Sequence, residues 1–179
     1  ALYAVESFGA SDTVGGFASS AFVLGATCMR VFSGWIVDRV GHKKAALTSL
    51  AFVTVVAVAY FFAHNVAVLI IVRMVHGAGY ALTSTALMAV AQSVIPHERR
   101  AEGTGYFALG TTLATAFGPA IGLLLANNIG YTALFAVALG ANIVSLILAL
   151  VLRYPAEVSS EKPAFSLRNA VHPNVVPIG

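Results

Sequence analysis

Two arginines, Arg30 and Arg73, lie inside long apolar runs. Near the centre of a spanning helix an arginine costs about 2.5 to 3.5 kcal/mol on insertion scales, so each needs a reason to be there. Arg30 stands two turns before Asp38, close enough to an interface for its stem to carry the charge outward, which is a structural role. Arg73 is deeper, about 10 Å of helix from one end of its run and about 30 Å from the other. A charge at that depth is a functional hypothesis by default.

Around Arg73 the chain reads Arg-Met-Val-His-Gly-Ala-Gly-Tyr-Ala-Leu-Thr-Ser-Thr. Helical spacing puts Arg73, His76 or Gly77, Tyr80, and Thr83 or Ser84 on one stripe. Such a stripe lines a water-filled cavity, or it serves interhelical hydrogen bonds while Gly77 and Gly79 let a neighbour approach. No Asp or Glu falls within the apolar runs, since Asp38, Glu98, Glu102, Glu6 and Asp12 all sit at their ends. A carboxylate proton relay is therefore not visible. Metal-ligand spacing, a nucleophile paired with a base, and a phosphate loop are also missing, so the sequence argues against an enzyme, a cofactor and a metal. Cys28, the single cysteine, reads as a small apolar filler.

The elements that must hold these residues are membrane helices. The 179 residues are 59% hydrophobic and 9% charged, far below the roughly 25% charge of a soluble domain. Five complete spans are expected, at 17–37, 45–63, 66–93, 104–126 and 131–152, each long enough for a hydrocarbon core of about 30 Å. Residues 1–5 read as the end of a truncated first helix, and 6–16 as a loop in which Ser11 and Asp12 offer an N-cap. The fold class is thus all-α integral membrane, one bundle over 1–154. A polar, proline-punctuated linker follows over 155–174, with 165–171 a candidate interfacial helix, and the approach to another span begins at 175–179. The chain reads as a fragment of a longer protein.

The stretch at 34–44, Gly-Trp-Ile-Val-Asp-Arg-Val-Gly-His-Lys-Lys, leaves roughly seven residues to reverse direction between two spans. Gly41 supplies the backbone freedom. With that turn, the 96–103 loop and the segment after 152 on one side, that side holds eight cations: Arg39, Lys43, Lys44, Arg99, Arg100, Arg153, Lys162 and Arg168. The opposite loops hold none, which places the basic side in the cytoplasm. The net charge of +3 and pI near 9.3 are thereby topogenic and do not form a nucleic-acid face. In the fourth complete span, Gly110, Ala114, Gly118 and Gly122 recur every four residues as a flat face suited to close packing, and Pro119 is a natural bend. Thr111, Thr112 and Thr115 offer hydroxyls to a substrate or to their own backbone.

In these residues the chain resembles the N-terminal half of the major facilitator superfamily of secondary transporters. Gly34, Asp38, Arg39, Gly41, Lys43 and Lys44 are similar to the family's loop motif between helices two and three, although His42 stands where Arg is common. Arg73, Gly77 and Gly79 fall in what would be helix four. Gly110, Gly118, Pro119 and Gly122 look like the helix-five motif of drug/proton antiporter-type exporters, with Ala114 where Gly is frequent.

The resemblance implies that the loop motif latches the two transporter halves, that Arg73 serves transport and proton coupling by its match of position, and that alternating access is the mechanism; His76 and Tyr80 join Arg73 as transport and coupling candidates from the polar stripe. It implies a small-molecule substrate, protons, the lipid bilayer and a C-terminal half as partners, in the inner or plasma membrane. Two other readings remain open: an importer or facilitator of sugars or metabolites, and a non-transporting sensor or assembly subunit.

Overall fold

A computed structural model describes residues 2–152 and 154. The linker expected at 155–174, the interfacial helix at 165–171, the helix start at 175–179, and the cations Arg153, Lys162 and Arg168 lie outside the described residues. Within them the architecture is all helical: α1 Leu2–Phe8, α2 Asp12–Val40, α3 His42–Ala59, α4 Val66–Val94, α5 Arg100–Asn128 and α6 Tyr131–Val151. Single 3-10 turns at Tyr60–Phe62 and His97–Arg99 extend α3 and precede α5. Five of these segments are long and apolar enough to cross a membrane.

All five expected spans form, but their ends move. Ser11 caps α2, its side chain accepting from the Val14 amide at 3.4 Å, so the helix starts at Asp12 and most of the loop expected at 6–16 is helical. Asn65 caps α4 in the same way, Oδ1 accepting from the Val68 amide at 2.9 Å. The turn expected to take about seven residues takes one. Gly41, at φ +94°, ends α2 by donating to the Val37 carbonyl and starts α3 by accepting from Ala45, both at 2.9 Å. Only glycine holds that backbone without strain.

The helices do not contribute equally. α4 lies against both α2 and α3, α3 lies against α6, and α5 touches chiefly α6. Small residues make the first of these contacts possible. A Cβ added at Gly25 would overlap the Met74 carbonyl, and one at Gly77 the Phe22 carbonyl, so the parallel pair α2 and α4 meets backbone to backbone. Gly79 faces the side chains of α3, where a Cβ would lie 2.8 Å from Val53 Cγ2. At the basic end Val37, Ala45, Ala46, Ala86 and Val90 form one buried cluster; at the other, Ala4, Ala18, Val56, Tyr60, Ala63, Leu69 and Val72 form a second.

Candidate functional site

The polar stripe of α4 divides into two faces. Gly77 and Thr83 point into the packing, Thr83 being 8% exposed and donating to the Gly79 carbonyl at 2.9 Å. Arg73, His76, Tyr80 and Ser84 point the other way. His76 Nδ1 is 3.0 Å from the Tyr60 hydroxyl on the turn extending α3, and Phe22 of α2 stands edge-on to its ring. Tyr80, 49% exposed, tilts against the same Phe22 at 5.5 Å. Ser84 accepts from Arg30 Nη2 at 3.4 Å. Arg30 therefore reaches sideways to the next helix instead of outward along its own, as its depth had suggested; the close α2–α4 approach puts a hydroxyl within its reach.

Arg73 borders two cavities of about 310 Å³ each, together with Tyr60, Leu134 and Phe135. The first opens toward α1, α5 and α6 past Tyr3, Pro119, Gly122 and Tyr131; the second runs toward Phe22, His76 and Asn142. Aromatic rings wall the space: Tyr3 and Tyr60 flank Phe135 at centroid distances of 5.0 and 5.4 Å. Tyr131 donates to Glu6 at 2.7 Å and ties α6 to α1. Arg73 Nε is buried without a hydrogen-bonding partner, and no acidic side chain borders either cavity among the described residues. A charged donor, an imidazole and an amide in an aromatic enclosure can bind and orient a small polar molecule.

Sequence reasoning singled out Arg73, His76 and Tyr80 but missed Tyr60, Phe22, Phe135 and Asn142, which come from three other helices. Tyr60 left one trace, a lone tyrosine near the end of an apolar run, which membrane-interface belts also produce.

The turn residues form a separate cluster at the basic end. The Arg39 guanidinium lies 5.3 Å from the Trp35 ring centroid, and Lys43 Nζ the same distance from that of Tyr154. Asp38 is exposed and Gly34 has nothing within 4 Å of an added Cβ. Lys44 is exposed beside them.

The flat face of α5 is not packed as expected. α5 has no buried residue; an added Cβ at Gly110 or Gly118 meets nothing within 4 Å, and at Gly122 only Leu134 Cδ1 at 3.7 Å. The reason is that α5 is held near its ends, by Gln92 donating to Thr104 at 2.8 Å and by the Gly122–Leu134 contact, with little against its middle. The helix runs through Pro119 without interruption. Thr111, Thr112 and Thr115 all donate to backbone carbonyls of their own helix at 2.8 to 3.0 Å, which leaves their lone pairs as what they can offer a ligand.

Comparison with known proteins adds the lineage of this arrangement. A family model described as Major Facilitator Superfamily matches residues 1–177. The staphylopine export protein of Staphylococcus aureus is 31% identical over 128 residues, 70% of this chain and 32% of its own length. An uncharacterised MFS-type transporter of Mycobacterium tuberculosis is 27% identical over 131 residues, 73% of this chain and 23% of its own. The tetracenomycin C resistance and export protein of Streptomyces glaucescens is 23% identical over 153 residues, 86% and 28% respectively. The chain spans a third or less of the length of these curated relatives.

Proposed function

The chain belongs to the major facilitator superfamily, a family of multi-pass membrane transporters, and from that premise we propose that it is part of a proton-coupled exporter of small organic molecules working by alternating access. One observation carries the reading: Arg73, deep in α4, has a buried, unpartnered Nε and borders two aromatic-walled cavities. A fixed charge there changes the affinity of a nearby acid for its proton as that acid moves toward or away from it, which is what coupling requires. His76 and Tyr80 extend the polar surface along α4. The exporter names of two relatives support the direction of transport.

In this reading the described residues are the N-terminal bundle of a longer transporter in the inner or plasma membrane. The basic turn faces the cytoplasm, where an anionic leaflet attracts Arg39, Lys43 and Lys44. No mid-span acid occurs among the described residues, so the coupling carboxylate belongs to another part of the transporter. Exposed Asp38 is the latch residue, its partner in the C-terminal half. Asp38→Asn is expected to slow turnover severalfold with little loss of folded protein; wild-type transport rates in that variant remove the latch.

The decisive measurement is substrate-driven proton release in inverted vesicles carrying the full-length transporter, screened with lipophilic cations and small polar metabolites. Arg73→Ala is expected to abolish the signal while inserting normally. Unchanged proton movement takes Arg73 out of the mechanism. The absence of mid-span carboxylates among the described residues favours one other reading, a facilitator of metabolites, which predicts downhill flux without any proton signal.

A further inference from the structure

We propose that Arg30 binds the transported molecule and that the substrate carries a carboxylate. This deepens the exporter reading by naming a substrate class. It rests on the seam between α2 and α4, away from the cavities that Arg73 borders.

Arg30 is exposed on α2, and its guanidinium is directed at Ser84, ten residues, or about 15 Å of helix, before the end of α4. Of the five guanidinium N–H groups, one is engaged by Ser84 at 3.4 Å, and no other partner occurs among the described residues. Ser84 hands its own proton to the Ala81 carbonyl at 3.0 Å, so it receives Arg30 through a lone pair. The serine orients the fork without neutralising it.

The mount is rigid. Gly25 and Gly77 hold the two backbones in contact on one side of Arg30. On the other, Ser33, 1% exposed, lies 3.0 Å from both the Arg30 carbonyl and the Thr85 hydroxyl of α4. Tyr80, one turn before Ser84 on α4, is half-exposed and tilts against Phe22 of α2. The described mid-membrane region contains two formal charges, Arg30 and Arg73, both positive, and no acid. A cationic substrate meets repulsion there, whereas an anion meets an oriented, unneutralised donor. The planar fork of an arginine matches the two oxygens of a carboxylate.

The test is equilibrium binding to the purified full-length protein, without a proton gradient, using benzoate and glutarate against benzamide and glutaramide. Wild type is expected to bind at least one acid at least about tenfold more tightly than its amide. Arg30→Gln is expected to weaken that acid about ten- to a hundredfold and leave the amide unchanged. Arg30→Lys, which keeps the charge and loses the fork, is expected to retain part of the preference, and serves if the glutamine variant misfolds. An absent preference in wild type, or an undiminished one in Arg30→Gln or Arg30→Lys, overturns the proposal. Because no gradient is present, failure of proton-coupled export leaves this binding result intact, and the reverse also holds.

Discussion

Gly77 on α4 and Gly118 on α5 occupy similar sequence, each in an apolar helix with small residues nearby, yet their surroundings differ completely. A Cβ at Gly77 would overlap the Phe22 carbonyl, while one at Gly118 would meet nothing within 4 Å. Small residues make a helix approachable, and they do not say what approaches. In α4 the approach has happened: two neighbours press against its glycines, and hydroxyls and an arginine cross the gap. In α5 the same kind of surface stands open to whatever else the transporter supplies.

The contrast sets an order of expected effects. Gly77→Ala must separate α2 from α4 and is expected to cost about 3 kcal/mol, read as a fall in unfolding temperature of the full-length protein in detergent. A change under 0.5 kcal/mol would mean that the two backbones are not in contact. Tyr60→Phe removes the 3.0 Å hydrogen bond to His76 and keeps the ring that borders both cavities, for an expected loss of about 1 kcal/mol. An effect of several kcal/mol would show that the hydroxyl holds more of the site than His76. Gly118→Ala is expected to change stability by less than about 0.5 kcal/mol. If the same substitution stops transport, the open face of α5 is a surface used during the cycle; if it unfolds the protein, that face is packed in the complete transporter and the comparison fails.

Most of the fold was legible in the sequence because membrane insertion is governed by length and apolarity. Five spans and the reversal at Gly41 follow from those two properties. The helix ends were less legible. The cap at Ser11 pulled residues 12–16 into α2, and a single glycine with positive φ replaced the longer turn, since a hydrogen-bonded backbone is more favourable than an open one beside lipid. Arg73 stood out by charge alone. Its cavity companions did not, since Phe22, Tyr60, Phe135 and Asn142 are ordinary residues in apolar runs until folding gathers them.

The sequence by itself determined that this chain is helical, membrane-embedded and charged at two mid-helix positions, because the cost of polar groups in hydrocarbon acts on each segment independently. Only the tertiary structure decided which side of α4 is sealed and which is open, that Arg30 turns to Ser84, and that Arg73 stands between two cavities. Those facts depend on which helices touch, and close approach between apolar helices is selected by the fit of whole surfaces, a property that no single segment carries.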